Sequence, residues 1–408
     1  MINPAPPNTT PAKAKLAGVD CLPYHRNGTM TPIKMLERLI AFNTVSRNSN
    51  LELIEFVEEY LYNHGIGSTR VPNDNGDKSN LYATVGPQEA GGVVLSGHTD
   101  VVPVDGQSWD TDPFGVTPKE GRLYGRGTCD MKAFIAIGLA LVPEMSQLKK
   151  PIHFALSYDE EVGCLGAPRM VRQMAERLPP PAAVIIGEPT SMDAVNGNKG
   201  VVALRTTVRG YETHSSQTNR GVSAVMTAAR LVTYLNDMAG RLAQETPLDN
   251  GFDPHNTSIH VGVISGGTAL NIVSRHCEFV WDIRNIPGDD PAKLIGEFER
   301  YCRDEILPNM RSRHAECFIK TENLSQVPAL IPSGSPALTL VQSLSGSNEV
   351  RQVAYGTEGG QFQEAQFPTV ICGPGSIDQA HQPNEFISEA QVQEGEIFVR
   401  RLIERLSA

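Results

Sequence analysis

From residue 31 to residue 199, short apolar runs alternate with longer segments of helical spacing. Residues 79–86, 92–97, 152–157 and 183–186 are apolar stretches too short for a helix, so they read as buried strands. Thr31 followed by Pro32 is a cap with proline in the first turn, and Ile33, Leu36 and Ile40 continue a helix to about 45. Leu51, Ile54, Val57 and Leu61 predict a second helix that stops at Gly65. Others are expected at 130–147 and 165–178, the last halted by Pro179, Pro180 and Pro181. This strand-then-helix order predicts an α/β fold, a mostly parallel mixed sheet covered by helices.

After Lys199 the texture changes. Residues 201–208 alternate in strand fashion, a helix is expected at 220–239, and 244–256 is a polar loop. Strands at 258–264, 273–284 and 315–320 and a helix at 291–306 complete a smaller α+β unit, 200–325. From 326 the first texture resumes, with a helix at 335–345, a strand at 368–372, a loop holding His381 and an amphipathic helix at 388–406. The expected organisation is a larger domain (31–199 and 326–408), a smaller one inserted into it (200–325), and a loose tail at 1–30.

Composition narrows the function. A chain of 408 residues exceeds one ordinary core, in keeping with two domains. The net charge of -11 argues against nucleic acid, which calls for a basic face. The longest apolar run, 133–142, is too short to span a membrane, and the N-terminus has no charged-then-apolar leader pattern, so Met30 is a candidate start. Seven cysteines, an odd number with no C-x-x-C pair, predict free thiols and a reducing compartment, the cytoplasm.

Five side chains of metal-ligand type recur just past predicted strands or turns: His98, Asp130, Glu161, Glu188 and His381. In open α/β sheets, ligands bind beyond the carboxyl ends of the strands. Two imidazoles and three carboxylates suit zinc or another late divalent metal, and two metals if one carboxylate bridges. Glu160, beside Glu161, offers a carboxylate for proton transfer, although spacing alone does not say which of the two is ligand and which is base. A phosphate-cradling glycine loop, H-E-x-x-H and a complete G-x-S-x-G are all absent.

Ser-Gly-His-Thr-Asp-Val-Val-Pro (96–103), Tyr-Gly-Arg-Gly-Thr-Cys-Asp-Met-Lys (124–132), Asp-Glu-Glu-Val-Gly (159–163) and Gly-Glu-Pro-Thr (187–190) resemble the co-catalytic metallo-aminoacylase and carboxypeptidase family. Thr-His-Ser-Ser (213–216), Gly-Gly-Thr-Ala-Leu-Asn-Ile-Val (266–273) and Gly-Pro-Gly-Ser-Ile-Asp-Gln-Ala-His (373–381) extend the resemblance over nearly everything after residue 31. It implies a metallopeptidase-like catalytic domain with an inserted lid and dimerisation domain, and hydrolysis of an N-acyl amino acid by a metal-activated water. It implies two zinc ions, with cobalt able to substitute, held by His98 and Glu188 on one side and Glu161 and His381 on the other, with Asp130 bridging. Asp100 would orient His98, Glu160 would be general base and acid, and the Asp130–Met131 peptide would be cis. His214 would reach the scissile carbonyl, often from the partner subunit of a homodimer, and Asn271 and Arg284 would bind the substrate. The runs 102–107, 355–359 and 373–381 look most like the members that act on N-acetyl-L-ornithine, in arginine biosynthesis, and Glu358 is then a candidate partner for an ornithine ammonium. Alternatives within the family are a succinyl-diaminopimelate desuccinylase, a general aminoacylase or a dipeptidase; a non-catalytic metal-binding relative is a further one. Asn198, Ser274 and Ala133 depart from the family's usual His, Pro and Gly, and none is a ligand or the base.

Overall fold

The computed structural model describes residues 30–408. The expected N-terminal tail falls outside them. Among the described residues, an eight-stranded sheet runs Ser68–Pro72, Ser79–Val85, Ile152–Ser157, Val93–His98, Ala183–Ile186, Thr369–Ile371, Ala194–Asn198, Val350–Val353. The four strands from Ile152–Ser157 to Thr369–Ile371 are mutually parallel, and antiparallel pairings enter toward the edges. Every residue of Ile152–Ser157, Val93–His98 and Ala183–Ile186 is buried, which is why these strands read as unbroken apolar runs rather than as alternation. The helix Lys132–Ala140 is buried along its whole length, between the strand Val93–His98 and the helices Pro32–Ile40 and Glu389–Ser407.

A second sheet, ordered Ser258–Gly266, His276–Asn285, Gly200–Arg209, Phe318–Val327, is antiparallel throughout. Here side chains alternate. Val202, Leu204, Phe279, Trp281 and Ile283 face a core shared with Leu231 and Phe298 of the helices Ala224–Glu245 and Pro291–Tyr301. Trp281 Nε1 donates to Thr206 Oγ1 at 3.0 Å, so the one polar atom of the buried indole is satisfied.

Several expectations needed revision. The helix expected at 291–306 ends at Tyr301, passes through a widened turn at Cys302–Ile306 and resumes as Leu307–Arg313, with Pro308 in its first turn, where a missing N–H costs nothing. The last strand of the smaller sheet starts and ends later than expected, at Phe318–Val327, and carries a register shift between Asn323 and Ser325. Six described cysteines are free and buried. No helix among the described residues is long and apolar enough to cross a membrane.

Candidate metal centre

Strand order explains how distant residues meet. The parallel strands Ile152–Ser157, Val93–His98, Ala183–Ile186 and Thr369–Ile371 lie side by side, so the segments leaving their carboxyl ends are neighbours in the same order. Those segments carry Glu160 and Glu161, then His98 and Asp100, then Glu188, then His381. Two glycines permit the approach. A Cβ on Gly187 would lie 2.0 Å from the Phe134 ring, so only glycine lets the chain pass that helix and present Glu188. Gly127, at φ +85, takes a left-handed conformation against Val101 and turns the chain toward Asp130. The Asp130–Met131 peptide is cis, as expected.

Asp130 stands between the two histidines. Its Oδ1 is 3.0 Å from His98 Nε2, and its Oδ2 is 3.2 Å from His381 Nε2. His381 Nε2 is also 2.9 Å from Glu161 Oε2, and His98 Nε2 is 3.8 Å from Glu188 Oε1. Ligand atoms of His98, Glu160 and Glu188 also fall within 4.8 Å of one another, so Glu160 is close enough to be drawn into coordination. Asp100 meets His98 through its main chain. His98 Nδ1 pairs with the Asp100 carbonyl oxygen at 2.9 Å, whereas the carboxylate is 3.7 Å away. That carboxylate accepts instead from Ser46 Oγ at 2.7 Å and from the backbone N–H groups of Glu160 and Glu161, at 3.2 and 3.4 Å. One residue therefore orients the imidazole through its main chain and the Glu160–Glu161 turn through its side chain.

The electrostatics fit a cationic guest. Burial pushes Glu188 well above the ordinary carboxylate range, and the Asp130, Glu160 and Glu161 charges push it further. Glu161 is pushed up to about 7 by burial and then by Asp130. Hydrogen bonding to Asp130 and Glu161 lifts His381 to about 10. Asp130 is penalised by burial, but its contacts to His381 and His98 more than offset this and hold it low. Glu161 Oε1 is enclosed with no hydrogen-bond partner among the described residues. Crowded buried carboxylates that raise one another's pKa, with an unpaired oxygen among them, are stabilised by a bound cation, and a nitrogen-and-oxygen donor set suits zinc-like metals.

Sequence reasoning missed the residue that ties the ligand loops together. Glu385 is buried, and its Oε1 accepts from the backbone N–H groups of Gly127, Cys129 and Asp130 at 3.1, 2.8 and 3.1 Å. Its Oε2 is 2.7 Å from Nη1 of Arg126, which is equally buried. Arg126 Nη2 donates to Gln107 at 2.6 Å, and Gln107 Nε2 donates to the His381 carbonyl at 2.9 Å. Glu385 thus fastens the Asp130 turn to the segment that carries His381. Its only signal in the sequence is an acid, just before the apolar pair Phe386-Ile387, four residues beyond a candidate ligand.

The remaining candidates occupy a separate two-stranded ladder, the second sheet and the Glu358 turn. Thr213–His214 pairs with Ile272–Val273, and Ser215 N–H donates to the Asn271 carbonyl at 2.9 Å, so His214 and Asn271 share one exposed ladder. Arg284 Nε is 3.9 Å from Asp282 Oδ1 on the sheet face opposite the buried Ile283. Glu358 is 1% exposed, its Oε1 has no hydrogen-bond partner, and burial pushes it up to about 7 against the pull of the neighbouring Ser157 hydroxyl and His98. Asn198 touches that turn, accepting from Thr357 Oγ1 at 3.2 Å. Ser274 Oγ accepts from Val225 N–H at 2.9 Å and so caps the helix Ala224–Glu245, a role the more usual proline could not fill.

Comparison with known proteins agrees with this architecture. Residues 94–405 match the family model described as Peptidase family M20/M25/M40. The chain is 35% identical to an acetylornithine deacetylase of Myxococcus xanthus, over 86% of this chain and 91% of that one. It is 34% identical to the acetylornithine deacetylase of Pasteurella multocida, over 87% and 93% of the two chains. Among solved structures, an M20 family metallo-carboxypeptidase from Sulfolobus solfataricus superposes with a TM-score of 0.74 at 16% identity, over 92% and 99% of the two chains. A dinuclear metal-binding peptidase of the M20 family from Bacillus subtilis superposes at 0.61 and 14% identity, over 91% and 96%.

Proposed function

The chain belongs to peptidase family M20/M25/M40 and is a metal-dependent amidohydrolase, and from that premise we propose that it hydrolyses N-acetyl-L-ornithine to L-ornithine and acetate, in the cytoplasm, as a step of arginine biosynthesis. The observation that carries the reading is Asp130, whose two oxygens reach one toward His98 and the other toward His381. In this reading His98 and Glu188 would hold one zinc and Glu161 and His381 the other, with Asp130 shared between them. When bound, the metals polarise the acyl carbonyl and acidify a water. Glu160 takes the proton from the attacking water and delivers it to the departing amine nitrogen as the C–N bond breaks. His214 donates to the oxyanion, helped by Asn271. Arg284 binds the α-carboxylate as a fork. The substrate assignment is supported by the acetylornithine deacetylases at 33–35% identity and by an acidic group, Glu358, available to a side-chain ammonium. We expect N-acetyl-L-ornithine to be turned over in clear preference to N-succinyl-diaminopimelate and N-acetyl-L-methionine. Glu358→Ala should erode that preference; equal losses on acetylornithine and acetylmethionine would remove Glu358 from the assignment.

His214 is exposed and its side-chain contacts are local, to Ser216, which is consistent with a histidine that serves a partner subunit. We assign 200–325 as a lid and dimerisation domain on this basis. Among the described residues its edge strand Ser258–Gly266 is paired on one side only and leaves Val263 60% and Ile264 51% exposed, an edge that invites pairing with a second copy. Ile264→Asp should shift the protein from dimer to monomer in light scattering and lower kcat by about 10²–10³, the usual loss for an oxyanion donor. A fully active wild-type monomer would contradict the assignment.

A further inference from the structure

Glu160 lacks the histidine partner that holds Glu161. Nothing described so far keeps its carboxylate out of the metal site, although it lies within ligand range of His98 and Glu188. We propose that the thiol of Cys164 is a positioning residue for Glu160, donating a hydrogen bond that holds the carboxylate beside the metals rather than on them. The inference rests on the assignment of Glu160 as the proton carrier.

The geometry is local and specific. Cys164 Sγ is 3.3 Å from Glu160 Oε1, within hydrogen-bond reach for sulfur. The thiol is aimed by its backbone. Cys164 sits at φ +51, a left-handed conformation that a glycine would adopt more readily, yet the chain carries a side chain with a donor there. Its N–H donates to the Glu160 carbonyl at 2.8 Å, and Gly163 N–H donates to the same oxygen at 2.9 Å. From the other side, the buried Gln361 Nε2 donates to the Cys164 carbonyl at 2.9 Å. The turn is therefore closed around Glu160 and pinned by the short helix Gly359–Glu364. Cys164 is 3% exposed, and burial, with the charges of Glu160 and Glu358, raises its pKa well above the usual thiol range, so the sulfur keeps its proton and can donate. An ordinary small packed residue would need none of this aim.

A base must face the water it deprotonates, and a carboxylate captured by a metal is lost to that task. Removing the donor should therefore act on turnover rather than on substrate binding. We expect Cys164→Ala to lower kcat about tenfold with KM changed by less than about twofold, and Cys164→Ser to recover most of the loss. A readout independent of activity is the S–H stretching band in the metal-free protein, isolated as wild type minus Cys164→Ser. It should lie at lowered frequency and return to the free-thiol position in Glu160→Ala. A band indifferent to Glu160→Ala, or an unchanged kcat in Cys164→Ala, would overturn the inference. The two readings fail separately: if Glu160→Ala keeps its turnover, the base assignment falls, whereas if it loses turnover but leaves the band unmoved, only the thiol's role falls. If Cys164→Ala does not fold, the band and Cys164→Ser still decide the matter.

Discussion

Glu160→Ala is expected to lower kcat by about a thousandfold or more while leaving metal content and fold intact, since positioned proton transfer contributes roughly 10²–10⁴ and here a single group serves both attack and departure. The adjacent Glu161 sets the contrast. Glu161 Oε2 is engaged with His381 at 2.9 Å, whereas Glu160 makes no such contact and is held high by burial, the His98 charge opposing and the Glu161 and Glu358 charges adding to it. A carboxyl whose pKa is raised above the ordinary range is a stronger base once ionised, and so better suited to accept a proton and later return it. Glu161→Ala should behave differently and lose metal along with activity. Kinetics paired with metal analysis on both variants separate the roles. A Glu160→Ala enzyme that keeps kcat within about tenfold of wild type would reverse the base assignment.

The second large effect is expected from Glu385, which touches the metal site only through main-chain N–H groups. Glu385→Ala leaves the buried Arg126 guanidinium uncompensated and removes the acceptor for three backbone N–H groups in the turn that presents Asp130. Breaking a buried ion pair by deleting one partner costs about 3–5 kcal/mol. We expect a loss of stability of that order in denaturant unfolding. Because the Arg126–Gln107 link ends on the His381 carbonyl, metal affinity should also fall by about 10–100-fold, as it does when groups that support ligands are removed. A loss of stability with metal affinity unchanged would mean that Glu385 supports the fold and not the site.

The sequence is most readable where burial is complete on both faces. The strand Ile152–Ser157 falls where its apolar run predicts, and Val93–His98 lies within a residue of it. The strand Val350–Val353 gives no signal because it lies at the sheet's edge, where Val350 and Arg351 are exposed and the polar pair Arg351-Gln352 leaves no apolar period. Ala194–Asn198 was missed because Asn196 and Gly197 interrupt its apolar pattern, although the strand is sheltered within the sheet. The five ligand-type residues were visible because each follows a strand or turn; strand order then makes His98, Glu161, Glu188 and His381 neighbours, and the glycine turn at 125–127 adds Asp130. The Glu385 contacts were not visible, since the acid and the turn it holds are separated by more than 250 positions and joined through backbone N–H groups, which leave no residue signature. For the same reason the sequence does not show that Asp100 meets His98 through its carbonyl rather than its side chain.

A metal titration tests whether Asp130 joins two metals into one hydrolytic site. The enzyme would be stripped by chelation and N-acetyl-L-ornithine hydrolysis followed as zinc or cobalt is returned, with bound metal measured at each point. The stripped enzyme is expected to show no turnover, with recovery as about two metals bind per chain and loss of the bridge with Asp130→Ala. Turnover that survives full removal of metal would contradict a two-metal site.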